Sequence, residues 1–443
     1  MVRLLLQALV RWKEQAHRKP VLIDGARQVG KTYLVENLFS KYFGKVLKLN
    51  FLAEESHKDI FLNSLDPKKL ISQIELTLDL SFDPAKDLLF FDEIGECQRA
   101  VDSLKFFAEQ RPDIFVCASG SNIGLLNSFP VGKVHNLELF PLCFEEFLMA
   151  KGQKSLINAY REMDFGTVAH AKLYEQLIDF YYVGGMPEAV EVWFEDNGES
   201  TLLKTRKVKT IHKNLINGYK RDFGKYASKR EAGIIQAVFD NIPEQLSRHV
   251  DSSVKRFQFK GVSPKRSRYR DFESAIDWLV KCKLTSQCYP VDCKPRSPLK
   301  SLRRENIFKL FFIDVGLLCH VLDISYQELK KEQLAYKGFI AENFVQNEFI
   351  TLGYEPTFSW MAGSDATAEI EFLYKDSDGN IIPIEVKSGK RVRSFSLKSY
   401  VERFNPEQTL KLVGTQCKGS RSNSMFWPLY YAGKIMKLTT PEK

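Results

Sequence analysis

The chain has no Cys-x-x-Cys pair, and its 8 cysteines are scattered along 443 residues. That pattern indicates neither a zinc site nor a disulfide framework, and it reads as reduced, mostly buried thiols. A long apolar run is missing too. The amino-terminal MVRLLLQALVRWKEQ is too short and too charged to span a membrane, and it has no signal-peptide cleavage region. Its Leu5, Leu6, Leu9, Val10 and Trp12 instead fit a packed amphipathic helix. No internal repeat or low-complexity tract occurs. By elimination the expectation is a cytoplasmic protein without membrane contact. Hydrophobic content of 44% and charged content of 27% are ordinary globular values. A chain of this length has room for about three domains with cores of their own.

What is present begins with a glycine-rich loop. Gly25, Ala26, Arg27, Gln28, Val29, Gly30, Lys31 and Thr32 spell GxxxxGKT behind the apolar run Pro20-Val21-Leu22-Ile23. A helical pattern follows from Tyr33 to Phe39, so the order is strand, loop, helix, as in a P-loop. Gly25 and Gly30 let the backbone turn so that its N–H groups surround the β- and γ-phosphates of ATP. Lys31 brings a compact cation to the same oxygens, and Thr32 offers a hydroxyl to Mg²⁺. The helix opening at Lys31 adds its positive dipole end. Tyr33 completes the candidate nucleotide-binding stretch.

Leu88-Leu89-Phe90-Phe91-Asp92-Glu93 reads as a central parallel strand, covered on both faces. Such strands carry functional side chains at their carboxyl ends. Asp92 is therefore placed to hold Mg²⁺ through water, and Glu93 to orient or deprotonate the attacking water. A third strand, Asp113–Ala118, runs into Ser119-Gly120-Ser121-Asn122. Ser121 is a candidate γ-phosphate contact, although these small polar residues equally suit a helix cap.

In these motifs and their order the chain resembles the AAA-type ATPases of bacteria and archaea that carry a carboxyl-terminal domain of unknown function. The resemblance rests on GARQVGKT, FFDEI at Phe91–Ile94 with its preceding Phe90, SGSN at Ser119–Asn122 and PLCFEEF at Pro141–Phe147. It continues through GGMPEAV at Gly184–Val190, FKLFFIDVGL at Phe308–Leu317, GFIAENFV at Gly338–Val345 and IEVKSGK at Ile384–Lys390. One departure stands out. Where the family tends to have Gly-Arg before Pro-Leu, this chain has Gly132-Lys133, and lysine lacks the planar bidentate fork of arginine.

The expected class is α/β, with a P-loop ATPase core at 1–150. A helical lid or linker follows at 151–225, where Gly184-Gly185-Met186-Pro187 reads as a structural turn between helices. A basic segment occupies 226–304. From Lys255 to Arg270 it holds Lys255, Arg256, Lys260, Lys265, Arg266, Arg268 and Arg270 with no acidic residue, interleaved with Phe257, Phe259 and Tyr269. Downstream, Phe272–Cys282 is helical in spacing. The resemblance implies a winged-helix-like module here. Such a module offers DNA a set of phosphate contacts, although a charge run is usually a solvated face.

Residues 305–443 form the last expected domain. Ala368–Tyr374 and Ile381–Lys387 read as a hairpin around Asp376–Asn380. With the turn centred on Asp378, Glu371 lies opposite Glu385, and Lys387 follows on the same face. Two close carboxylates can hold Mg²⁺, and a lysine can steady the transition state. The layout resembles the PD-(D/E)XK, or restriction-endonuclease-like, fold. That resemblance makes Glu385 and Lys387 the E-x-K element and Glu342 the acidic residue of the first helix. Glu371 stands where Asp is more usual. Two readings follow: an ATPase coupled to a nuclease-like, DNA-binding domain, or an ATP-dependent switch whose nuclease-like domain is inactive and binds a protein partner. Both admit an oligomer.

Overall fold

A computed structural model describes the whole chain except residues 127, 227, 249–255, 332–336, 364–367, 390–394, 418–422 and 440–443. Lys255 of the basic segment and Lys390 of the IEVKSGK stretch lie outside the described residues. The chain divides into two compact units. The first is Met1–Phe140 with Lys281–Lys283, and the second is Pro141–Val280 with Leu284–Lys443. No helix among the described residues is long and apolar enough to cross a membrane.

The first unit is built on five parallel strands: β1 (Val21–Asp24), β2 (Val46–Asn50), β3 (Leu88–Asp92), β4 (Phe115–Gly120) and β5 (His135–Glu138), in the order β2-β3-β4-β1-β5. Every residue of β3 is buried, as an apolar run covered on both faces requires. Phe91 meets Phe51, Phe61 and Phe107 edge to face, which joins β3 to the helix Gln98–Gln110. The amino-terminal helix forms over Leu5–Lys13 and buries Leu9 and Trp12. Trp12 Nε1 donates to Lys19 O at 2.7 Å.

Two local details depart from expectation. β4 starts at Phe115, after a turn in which Ile114 N donates to Arg111 O at 3.2 Å. The strand then runs on through Ser119 and Gly120, so these residues extend the sheet rather than cap a helix. Beyond the loop, Lys31–Tyr33 is α-helical, and Leu34–Leu38 widens into a π turn.

The second unit carries helices and a seven-stranded mixed sheet: β6 (Thr285–Val291), β7 (Lys309–Phe312), β8 (Thr357–Met361), β9 (Glu369–Lys375), β10 (Ile381–Lys387), β11 (Thr409–Val413) and β12 (Ser424–Pro428). Their order is β12-β11-β10-β9-β8-β6-β7. β9 and β10 are an antiparallel hairpin with Ile384 opposite Phe372, so one step further Glu385 faces Glu371. The winged-helix-like module does not stand apart among the described residues. β6, from within 226–304, pairs in parallel with β8 and antiparallel with β7, so this strand is built into the carboxyl-terminal sheet.

The Gly184-Gly185 turn is a packing joint. The helix Thr167–Val183 ends at Gly184 with φ 69°, and Pro187 opens the next helix. A Cβ on Gly185 would sit 2.1 Å from Leu142 O. Gly185 N donates to Asp314 Oδ2 at 2.6 Å, while Asp314 also caps the helix Val315–Val321 through Leu317 N. Burial pushes the Asp314 carboxyl up to about 6 despite these bonds. Three of the quoted motifs thus meet in one structural contact.

Candidate functional site

The glycine loop leaves β1 and closes over Lys31. Gly30 adopts φ 94° and Gln28 φ 66°, the left-handed turns that lead into the helix. Gly25 is required for another reason: a Cβ there would lie 2.1 Å from Leu139 O. Arg3, buried under the loop, donates to Val29 O and Phe140 O at 2.6 Å each. Its distance along the sequence hides this role. Arg27 is half-buried, while Gln28 and Tyr33 are exposed; Ala26 is buried.

Lys31 Nζ donates to Gly25 O at 2.9 Å, Ala26 O at 2.8 Å and Ser121 Oγ at 2.8 Å. All three are neutral acceptors. Burial lowers the Lys31 pKa to about 8, against the opposing pull of Glu93, Asp24 and Asp92. A buried cation met only by dipoles suits an arriving phosphate.

Beside it, Asp92 gathers donors. Its Oδ1 accepts from Thr32 Oγ1 at 3.0 Å and from Ser119 Oγ at 2.6 Å. Its Oδ2 lies 3.1 Å from Lys48 Nζ, which also pairs with Glu36 at 2.6 Å, and 3.3 Å from Asn50 Nδ2. Thr32 and Asp92 together are a hard-oxygen set at the head of the loop, which fits Mg²⁺. Glu93 follows in a left-handed conformation, φ 53° and ψ 43°. A non-glycine residue held there costs roughly 1–3 kcal/mol and commonly marks a functional position. Burial raises its pKa, with Lys31 opposing, and Ser121 N donates to its carboxylate. The bond from Ser119 to Asp92 and the contributions of Lys48 and Asn50 are additions to the sequence reading. The signal for the last two is a polar residue on alternate positions of VLKLN, leading to the same strand end as Asp92. Lys133, at the departing Gly-Lys position, pairs with Glu109 at 2.8 Å.

The carboxyl-terminal candidates belong to a buried ion network. Lys387 Nζ lies 3.4 Å from Glu371 Oε1 and 3.3 Å from Glu385 Oε1. Glu371 Oε2 accepts from Val386 N at 3.1 Å, and Lys411 Nζ stands 3.5 Å from Glu385 Oε2. Lys309 reaches Glu342 Oε2 at 3.5 Å and also pairs with Glu369. All four glutamates are buried. Burial raises Glu371 while Lys387 pulls it back, and the two carboxylates hold Lys387 firmly charged. The expected pairing of Glu371 with Glu385 is therefore bridged by lysine. Among the described residues no group of three or more His, Cys, Asp or Glu is arranged to hold a metal ion. Lys309, Glu369 and Lys411 escaped the sequence reading, although Lys309 and Lys411 are each the one charge of an apolar strand and Glu369 lies two residues before Glu371 on the same face.

In the basic segment, Arg256, Lys260, Lys265, Arg268 and Arg270 are exposed, and Arg266 donates to Asp271 O at 3.0 Å. Phe257 is buried, and Phe259 and Tyr269 are half-buried. Phe259 lies 5.6 Å from Phe257, 5.7 Å from Tyr269 and 6.1 Å from Phe308 between ring centres.

Residues 17–148 match the family described as an AAA domain. Residues 174–328 match a domain of unknown function, DUF8612, and residues 337–430 match another, DUF4143. No curated protein matches. Among solved structures, the Walker-type ATPase PABY2304 of Pyrococcus abyssi is similar at 12% identity and a TM-score of 0.42, over 72% of this chain and 94% of that one. PCH-2 of C. elegans aligns at 17% identity and 0.27, over 46% and 66%. The Aeropyrum pernix ORC1 protein, solved in complex with DNA, aligns at 10% and 0.28, over 72% and 90%. The part of the chain that holds Lys31, Asp92 and Glu93 is the part similar to an AAA domain.

Proposed function

We propose that the protein is a Mg²⁺-dependent ATPase that carries in its second unit a nuclease-like domain governed by nucleotide state. One observation carries the ATPase reading: Lys31, Thr32, Asp92, Glu93 and Ser121 converge at the mouth of one glycine loop. The loop N–H groups and Lys31 bind the β- and γ-phosphates. Thr32 and Asp92 hold Mg²⁺, which when bound neutralises charge on those phosphates. Glu93 orients the attacking water and takes its proton, a role its raised pKa suits. Ser121, within reach of both Lys31 and Glu93, positions the γ-phosphate.

The division into an ATPase core at 1–150, a helical linker at 151–225, a basic segment at 226–304 and a nuclease-like part at 305–443 belongs to this proposal. The order of helix Lys337–Thr351, β8, β9, β10, helix Phe395–Phe404 and β11 supports the nuclease-like reading. Cleavage is another matter. Lysines meet all four carboxylates, which favours the second reading, a module that binds without cutting. From the first reading the proposal keeps nucleic-acid contact through the exposed cations of the basic segment, and the protein partner of the second reading is its alternative.

The test is nucleotide binding and hydrolysis by purified protein in Mg²⁺. Lys31→Ala should lose most ATP affinity. Glu93→Gln should bind ATP but turn it over about 10²-fold or more slowly. Hydrolysis at the wild-type rate by Glu93→Gln would sink the assignment of the base.

A further inference from the structure

The basic segment is not a flat charged face. Arg230, Lys265, Arg266 and Arg270 line an open cavity of about 890 Å³ between the start of the helix Lys229–Ser247 and the helix Glu273–Lys281. Trp278 and Ile235 form part of its apolar wall. The Trp278 indole N–H, itself buried, has no hydrogen-bond partner among the described residues. A second cavity of about 670 Å³ adjoins it through the shared Arg270 and adds Arg268 and Tyr269.

The acids of the first cavity are committed elsewhere. Glu231 accepts from Ser228 N and Oγ, where it closes the capping box of its helix. Asp271 Oδ2 accepts from Ser267 N and Arg268 N. Neither forms an ion pair with Lys265 or Arg270. In the second cavity Tyr269 engages Glu273 and Arg303 engages Glu305. Lys265 is also held at φ 64°, a strained conformation for a lysine. Arg230, Lys265 and Arg270 are thus exposed along the walls of these open cavities with no carboxylate paired to them among the described residues, Arg266 is half-buried against Asp271, and a half-buried tyrosine lies beside them.

We infer that these joined cavities bind the backbone of a single-stranded nucleic acid, with phosphates on Arg230, Lys265, Arg266 and Arg270 and a base against Tyr269. This rests on the nucleic-acid reading above and narrows it. A flexible strand can enter recesses of this size and place its bases on aromatic rings, as charged single-strand grooves require. A duplex presents its phosphates on a stiff convex surface that cannot follow the walls of a concave track.

The experiment is fluorescence anisotropy on the full chain, with labelled single-stranded DNA, single-stranded RNA and duplex DNA between 50 and 200 mM salt. The single strands should bind at least ~10-fold tighter than the duplex, with log K falling as log salt rises. Replacing Arg230, Lys265 and Arg270 together with Ala should flatten that slope by about 2, since each lost phosphate contact removes about 0.7 on a single strand. Lys265→Gln and Arg270→Gln alone should each flatten it by about 0.7, a check independent of how the triple variant folds. Replacing the exposed Lys294, Arg296 and Lys300 should leave binding unchanged. Equal binding of duplex and single strand, an unchanged slope, or an equal loss in the control variant overturns the inference while nucleic-acid contact survives. Absence of binding to every probe overturns both.

Discussion

Lys31 opens the helix that follows the glycine loop and Lys387 ends β10, and the surroundings of the two lysines are opposite. Lys31 is met by two carbonyls and a hydroxyl, and burial draws its pKa down to about 8. Lys387 sits between Glu371 and Glu385, which push its pKa up. The first charge is tolerated by dipoles and gains from an anion. The second is already neutralised and gains little from anything. The difference separates a site prepared for a charged ligand from one whose charges are spent on each other. Residue type alone does not distinguish them.

The comparison breaks most sharply on removal of a partner. Glu385→Ala would leave Lys387 and Lys411 facing a buried gap, and the expected loss is about 3–5 kcal/mol, as for other broken buried pairs. Lys31→Met removes a charge that forms no ion pair among the described residues, and should change stability by less than about 1 kcal/mol. Urea unfolding of both variants measures the contrast. If Glu385→Ala unfolds at the wild-type midpoint, the network is not a structural one.

Short-range spacing made much of this legible. The GxxxxGKT loop and its flanking strand lie within a dozen residues, and the hairpin register follows from a turn centred on Asp378, which sets Ile384 against Phe372. What stayed hidden arrives across a sheet. Ser119 and Lys48 reach Asp92 from the strands on either side of β3, and Lys309 reaches Glu342 and Glu369 from the far edge of a mixed sheet. Strand order has no local signature in parallel pairing, so the membership of β6 in that sheet was equally unreadable. The winged-helix expectation rested on resemblance and on helical spacing around a basic turn, and neither carries the strand pairing that builds β6 into the sheet. Of the interleaved aromatics Phe257 is buried and Phe259 packs on Phe272 and Phe308, while Tyr269 stays half-buried at the wall of the second cavity.

A carboxylate without a lysine sharpens the contrast within the second unit. Glu348 is buried and accepts from Phe144 N at 2.8 Å, with no ion pair among the described residues, and burial pushes it up to about 8. Its folded pKa lies above the unfolded value near 4.5. The stability it contributes is therefore full below about 4.5 and is lost as pH rises through about 8. Glu348→Gln keeps an acceptor for Phe144 N and cannot ionise. Between pH 5 and 8.5 the wild type should lose on the order of 4 kcal/mol relative to this variant. Parallel stability curves would mean that Glu348 ionises freely in the folded protein.

The smallest expected effect is the most discriminating for the carboxyl-terminal site. If Glu371 and Glu385 were a metal pair, Mn²⁺ would stabilise the protein by filling the space between them. The lysines argue otherwise: a cation arriving at Glu385 must displace Lys387 or Lys411 from contacts of 3.3 and 3.5 Å, and so replaces one positive charge with another. Melting with 1 mM Mn²⁺, in a Lys31→Ala background that suppresses nucleotide-linked metal, should shift by less than about 1 °C. Glu371→Gln and Glu385→Gln, each compared with its own metal-free melt, should behave the same way. Linear and circular DNA incubated with these proteins should remain uncut. A shift of several degrees that either glutamine variant removes would restore the metal site, because only a cation bound tightly enough to evict a lysine could produce it.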